Sequence, residues 1–309
     1  MSSSRRPFVS VVIPTHNRGY IIGASITSVL SQTYSDIEVI VIDDASSDNT
    51  EEVVEKLNDR RVKYYKTPKT LGPSGARNTG IERSAGAFVF FQDSDDIWFP
   101  KKIERQLNHY YTLADRKNNV VGGFCRFVKV RGNLITKIPK EQKITSFDGD
   151  FHEALLDGNF IGTPTLMVQT NVLRNLGGFD ETLSSLEDWD LALRLTRHGL
   201  LSFTNEILVC SLTSEDSVNS KPCGDSILKL IENNKSSFLK HRIKHAARRT
   251  EAAGEFIKHG DRDNAITAAR ESLNVMWTAK GMAIAMAPKF YEVLMALKEF
   301  VKSRAEPHS

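Results

Sequence analysis

FVFFQDSDDIWFP, residues 88–100, is the stretch on which the reading of this chain turns. Phe88 to Gln92 is almost wholly apolar, the composition of a strand buried on both faces of a parallel sheet. Asp93, Asp95 and Asp96 follow at once, with Trp98, Phe99 and Pro100 behind them. Ligands of open α/β sheets bind outside the carboxyl ends of the strands. Carboxylates crowded there repel one another, and a hard divalent cation shared with substrate phosphates would relieve that repulsion. The same residues also suit an acidic turn capping a helix that begins near Pro100. By itself the stretch leaves both readings open.

Upstream, the pattern repeats. Phe8 to Ile13 (FVSVVI) reads as a first buried strand, closed by Pro14-Thr15-His16-Asn17-Arg18. Thr15 and Asn17 suit a strand-to-helix turn whose backbone N–H groups can meet an anion. Ile22, Ile26, Val29 and Leu30 then recur at helical spacing. Ile37 to Ile42 is a second strand, ending in Asp43-Asp44-Ala45-Ser46-Ser47-Asp48. Asp48 suits the cap of a helix from about Thr50, whereas Asp43 and Asp44 come too early for that. A third strand, Val62 to Lys66, leads to Gly72-Pro73-Ser74-Gly75-Ala76-Arg77-Asn78, which opens a helix. Its glycines let backbone approach a ligand, and Arg77 is a ready phosphate partner. Strands alternating with helices at this spacing predict an α/β fold with a Rossmann-like, mostly parallel sheet. Three strand ends deliver polar groups to one sheet edge, which favours a nucleotide, phosphate and metal site over separate capping turns.

Bulk composition agrees with an ordinary globular chain. Its 309 residues are 40% hydrophobic and 26% charged, enough for one large domain plus an appendage. No run approaches the ~18 apolar residues of a membrane span. The start, MSSSRRPF, lacks the apolar core of a signal peptide. Cys125, Cys210 and Cys223 are too scattered for a disulfide framework or zinc site, so a cytoplasmic setting is expected. From Asp225 onward 15 Lys and Arg stand against 10 Asp and Glu, so the tail holds +5 and the preceding 224 residues −2. The expected division is therefore 1–224, catalytic, and 225–309, a C-terminal all-helical extension.

VVIPTHNR, VIDDASSDNT, GPSGARNTGI and the acidic strand end resemble the nucleotide-binding half of family 2 glycosyltransferases, and FIGTPTLMV, GGFDETL and EDWDLALRL continue the likeness to about residue 210. The resemblance implies the A-type (GT-A) nucleotide-sugar fold and an inverting transfer from a nucleoside-diphosphate sugar, most simply a UDP-sugar. It implies that Asp44 binds the nucleotide base, with Pro14, Thr15 and Asn17 lining that pocket. It implies that Asp95 and Asp96 form the Asp-x-Asp type pair, near ribose and on Mg²⁺ or Mn²⁺. Asp188, in Leu186-Glu187-Asp188-Trp189-Asp190, matches the family's Glu-Asp pair and is implied to be the general base. Glu187 and Asp188 equally suit the first turn of the helix that follows, where the dipole favours negative charge. Asp190 reads as structural. Gly162, in FIGTPT, is implied to border the acceptor, a saccharide or a lipid-linked saccharide in polysaccharide or glycoconjugate assembly. No nucleic-acid partner is expected.

The loop CSLTSEDSVNSKPCG, residues 210–224, departs from relatives that carry a diphosphate-gripping His there. Ser214, Ser217 and Lys221 are its residues able to contact phosphate. His109, His152 and His198 show no metal-ligand spacing. Beyond Asp225 helical periodicity runs to Gly260 and again over Asp263 to Lys280. Pro288 opens a third stripe, of Phe290, Val293, Leu294, Leu297 and Val301. Lys289, Lys298 and Lys302 beside it make peripheral membrane contact one expectation, packing on the protein body the other. Rival readings of the whole are a sugar nucleotidyltransferase, whose Gly-rich basic N-terminal loop VVIPTHNRGY does not supply, and a non-catalytic nucleotide-sugar-binding partner.

Overall fold

The computed structural model describes residues 7–132, 134–139, 149–212 and 224–276. Its apolar runs build the sheet first. β1 (Val9–Thr15), β2 (Ile37–Asp43), β3 (Val62–Lys66) and β4 (Phe88–Phe91) pair in the order β3-β2-β1-β4, all parallel. The connections are α1 (Ile22–Leu30), α2 (Thr50–Lys56) and α3 (Gly72–Arg83). Every residue of β2 and β4 is buried, as continuous apolar runs require of strands covered on both faces. One face packs Val9, Val11, Ile13, Val39, Val41, Phe88 and Phe90 against Ile22, Ile26 and Val29 of α1.

Beyond β4 the sheet becomes mixed. After β5 (Ile97–Trp98) and α4 (Lys102–Ala114) comes a hairpin of β6 (Val120–Arg131) and β7 (Leu134–Ile138). α5 (His152–Leu156), β8 (Met167–Gln169), α6 (Thr170–Asn175), α7 (Glu187–His198) and β9 (Leu200–Leu212) follow. β8 lies antiparallel between β4 and β6, β9 runs parallel to β6, and β5 closes the edge antiparallel to β9. Because β8 reverses direction between them, β6 and β9 point the same way as β4. Their C-terminal ends therefore share the edge that carries Asp93–Asp96. The expected α/β class stands, with its parallel part confined to β3-β2-β1-β4 and the β6–β9 pair.

A second compact unit holds Leu183–Leu186 and the helices from Gly224 onward. The periodicity to Gly260 resolves into α8 (Gly224–Asn233), α9 (Lys235–Lys240) and α10 (Arg242–Lys258), followed by α11 (Arg262–Val275). α10 and α11 pack through Ala246, Ala253, Ala265, Ala268 and Ala269, all fully buried, and Thr250 meets Ser272 across the seam at 2.7 Å. Gly260, with φ +77, makes the turn between them, and the Asp261 carboxylate caps α11 by accepting the Asn264 N–H. No helix among the described residues is long and apolar enough to cross a membrane. The stripe from Pro288, with Lys289, Lys298 and Lys302, lies outside the described residues.

Candidate active site

The first wall of the site comes from the loops after β1 and β2, tied to one another. The Asn17 N–H donates to Ser46 Oγ at 2.8 Å, and Asn17 Oδ1 accepts the Ser47 N–H at 2.8 Å. This exchange needs Asn17 at φ +51, a conformation that asparagine tolerates better than most residues. Asp48 accepts N–H bonds from Gly19 at 3.0 Å and Thr50 at 3.1 Å, so it caps α2 and also fastens the first loop. Asp43 is fully buried and holds the turn through the Ser46 N–H and the Tyr64 hydroxyl. Asp44 accepts the N–H groups of Leu71 at 2.6 Å and Gly72 at 2.9 Å, joining β2 to the start of α3. Thr15 is buried, and its hydroxyl has no hydrogen-bond partner among the described residues. Pro14 is half-buried beside it.

The second wall is the acidic turn. Asp96 is 2% exposed; the Ser211 hydroxyl and the Leu212 N–H donate to its carboxylate. Burial raises its pKa well above the ordinary carboxylate range, and the charges of Asp93 and Asp95 add to the shift. Asp95 is raised by burial and Asp93, with the Arg18 cation opposing. The turn's backbone is held from below. Fully buried Gln92 donates through Nε2 to the Asp96 carbonyl at 2.6 Å and to Ser25 Oγ at 3.1 Å, while Ser25 donates to the Asp93 carbonyl at 2.9 Å. Hard oxygen donors under mutual repulsion suit Mg²⁺ or Mn²⁺. No group of three His, Cys, Asp or Glu side chains among the described residues forms a protein-only metal site, so a cation here would draw further ligands from phosphate and water.

Arg77 joins this turn to α7. It is 6% exposed, and it donates through Nη2 to Asp93 Oδ1 at 2.9 Å and through Nη1 to Glu187 Oε1 at 3.1 Å. The Phe179 ring lies 5.3 Å from the guanidinium carbon. Asn78, one residue on, holds the 178–181 loop in a reciprocal bond with Phe179, its Oδ1 accepting at 2.8 Å and its Nδ2 donating at 2.9 Å. Asp188 is half-buried at the first turn of α7, with Oδ1 accepting the Trp189 N–H at 2.7 Å. Burial and the Glu187 charge push its pKa up to about 7, against the Arg77 cation. Leu186, just before the helix, has φ +67, an uncommon conformation for a branched side chain. Trp189 anchors the turn by donating through Nε1 to the Leu155 carbonyl at 2.8 Å. Asp190 is fully buried and paired with Arg194 at 2.7 Å, a structural role.

One sheet edge thus gathers Pro14, Thr15, Asn17, Asp44, Arg77, Asp95 and Asp96, and Glu187 ties the Asp188 turn to it. Sequence reasoning did not single out Gln92, Ser25, Arg18, Asn78 or Ser211. A polar residue closing an apolar strand was the available signal for Gln92. Ser214, Ser217 and Lys221 lie outside the described residues; Ser211, at the end of β9, is the described hydroxyl that reaches Asp96.

Residues 10–170 match the family model described as Glycosyl transferase family 2. Over 204 residues, 66% of this chain and 75% of the relative, the chain is 34% identical to UDP-Glc:alpha-D-GlcNAc-diphosphoundecaprenol beta-1,3-glucosyltransferase WfgD of Escherichia coli. The fold is that of S. aureus TarS, with a TM-score of 0.63 at 19% identity over 90% of this chain and 50% of TarS. TarS 1–349 in complex with UDP-GlcNAc gives 0.61 at 19% identity, over 90% and 84%. Mannosyltransferase PcManGT from Pyrobaculum calidifontis, in complex with GDP-Man and Mn²⁺, gives 0.57 at 16% identity, over 93% and 81%. These structural likenesses establish the GT-A fold alone, and the chain spans half of full TarS. Matched by its model over more than half its length and by a relative at 34% identity, the chain belongs to glycosyltransferase family 2.

Proposed function

We propose that the chain transfers a sugar from a UDP-linked donor, with inversion, to a lipid-linked saccharide acceptor of polysaccharide or glycoconjugate assembly. The observation carrying this reading is the Arg77 bridge, which fastens the acidic turn to the helix start that bears Asp188. Asp188, with its pKa near 7, removes the proton from the attacking acceptor hydroxyl. The hydroxyl displaces the diphosphate in one step, and inversion needs no protein nucleophile.

Asp44 Oδ1 meets both the Leu71 N–H and the Thr67 hydroxyl, whereas Oδ2 meets the Gly72 N–H alone and keeps a lone pair to accept the imide N–H of uracil. Pro14, Thr15 and Asn17 border that base, the Thr15 hydroxyl being free to bond it. Asp95 stands toward the ribose, and Arg77, buried with both Nη atoms on carboxylates, supports the diphosphate side through Asp93 and Glu187. Asp96, with Asp95, would hold Mg²⁺ or Mn²⁺; when bound, the cation offsets the charge of the departing nucleoside diphosphate. A lipid-linked acceptor is supported by the diphosphoundecaprenol-linked acceptor for which WfgD is named, and a UDP donor by the same relative. Such an acceptor is compatible with a peripheral position at the membrane, and a cytoplasmic face is part of this proposal.

Incubating the protein with a panel of UDP-sugars and Mn²⁺, then following UDP release, tests the reading. Release that depends on added acceptor and stops with EDTA supports it. Pyrophosphate formation from UTP and a sugar phosphate would identify a nucleotidyltransferase instead.

A further inference from the structure

From the hairpin β6–β7 we infer that this chain inserts a membrane-docking finger, tipped by Leu134 and Ile135, into an anionic bilayer beside the catalytic edge. The inference rests on the proposed lipid-linked acceptor and adds the surface by which the enzyme reaches it. Leu134 and Ile135 are 65% and 64% exposed, large apolar side chains at the end of the β6–β7 hairpin, where β6 passes its last partner on β9, Leu212. Cross-strand register pairs Arg131 with Leu134 and Val130 with Ile135. Adjacent strand positions point to opposite faces, so each face of the hairpin end carries one large apolar side chain, Leu134 opposite Arg131 and Ile135 opposite Val130. A ribbon greasy on one face packs down on its own protein; one greasy on both at its tip enters an apolar phase end-on.

Charge names the phase. From Arg126 to Lys140 the sequence carries Arg126, Lys129, Arg131, Lys137 and Lys140 with no acidic residue, although the first 224 residues as a whole are net negative. Lys129, Arg131 and Lys137 flank the tip on both strands, where long basic side chains keep their heads at a headgroup layer while the apolar end goes deeper. Anionic lipid answers both features at once. Acidic protein or nucleic acid would leave Leu134 and Ile135 unexplained.

Position supplies the function. Lys129 is the register partner of Ser211, whose hydroxyl holds Asp96, and Val130 is the partner of Leu212. Arg131 stands two strand steps beyond Lys129, so the strand runs about 7 Å past the level of Ser211 before the tip. A bilayer that receives the tip lies along the edge carrying Asp93–Asp96, where an acceptor anchored by its lipid would present its sugar.

Flotation of the full chain with vesicles of phosphatidylcholine and phosphatidylglycerol, against phosphatidylcholine alone, tests the finger. Binding is expected on the anionic vesicles. The double variant Leu134→Ser, Ile135→Ser should lower it at least about tenfold, and Arg131→Ala and Lys137→Ala about fivefold each. UDP affinity by calorimetry should not change in any of them, which excludes unfolding. Full-chain protein that does not float overturns the inference, as does a double variant that floats like the parent, since the anchor would then lie elsewhere. A dimer in light scattering that the double variant splits would assign the tip to a second copy and also overturn it. Vesicle binding is read without donor or acceptor, so it stands or falls apart from glycosyl transfer, which UDP release to a water-soluble acceptor reports.

Discussion

Arg77 and Glu187 lie 110 positions apart and meet at 3.1 Å through Nη1 and Oε1, while Nη2 of the same guanidinium holds Asp93 at 2.9 Å. One buried cation thereby sets the distance between the acidic strand end and the turn of the proposed base. It also lowers the proton affinity of Asp188 against the push from burial and Glu187.

Removing that cation should be costly twice over. Arg77→Met leaves Asp93 and Glu187 facing each other, and stability should fall by about 3 kcal/mol, the low end for breaking a buried pair because Asp93 is 29% exposed. The acid limb of the activity profile should also move to higher pH, because the charge that favoured ionised Asp188 is gone. Urea unfolding and a pH profile measure the two effects. An unshifted profile would reduce Arg77 to a fold-stabilising role.

The pH dependence of the parent enzyme follows from Asp188. Below its pKa of about 7 the carboxyl is protonated and accepts no proton, so kcat/KM should fall about tenfold per pH unit on the acid side and level off above. Linkage runs the same way. The folded-state pKa lies above the ordinary 3.8, so ionisation costs stability as pH rises from about 4 to 7, and the cost is absent below that window. Asp188→Asn should therefore be more stable than the parent at pH 8 by about 1 kcal/mol, after screening at a half-buried site. Equal or lower stability of the variant would show that the carboxylate is not held against its preference.

Gln92 should act through the turn it supports. Gln92→Leu fits the apolar surroundings of β4 but strands the Asp96 carbonyl and takes a donor from Ser25 Oγ, which keeps its own bond to the Asp93 carbonyl. A loss of about 1–3 kcal/mol in stability is expected, with weaker metal-dependent UDP binding. Ser25→Ala removes one support instead of two and should lie between Gln92→Leu and the parent. Unchanged UDP affinity in the Leu variant would mean that the turn keeps its shape without Gln92.

Much of this site is legible in the sequence because parallel strands announce themselves. FVSVVI, IEVIVI and FVFF are apolar runs broken only by Ser10 and Glu38, which bond each other, and the polar residues that end them fall on one edge by topology alone. The bridge from Arg77 to Glu187 was hidden, since no local pattern reports a partner 110 positions away. β5 was missed because two residues, Ile97 and Trp98, are too few to show a period. The β6–β7 hairpin was missed because GGFCRFVKV mixes glycine and cations into a strand whose far end is half-exposed. In the helical unit, Asn234 and His241 break a stretch whose periodicity alone reads as continuous.

Asp44 offers a sharper view of the nucleotide. If its spare lone pair accepts the uracil N–H, UDP should bind more tightly than CDP, whose ring nitrogen at that position is an acceptor. Asp44→Ala should abolish the preference and lower UDP affinity about tenfold or more, because it also frees the Leu71 and Gly72 amides. Calorimetry with the two nucleotides decides it; equal affinities in the parent would remove Asp44 from the base pocket.

The most direct test of the account is the transfer rate of Asp188→Asn, measured as acceptor-dependent UDP release in Mn²⁺, alongside its UDP dissociation constant. The account predicts a rate lower by at least ~10²-fold, the loss typical of a missing general base, with UDP binding unchanged. A variant that transfers at close to the parent rate while binding UDP normally would contradict it.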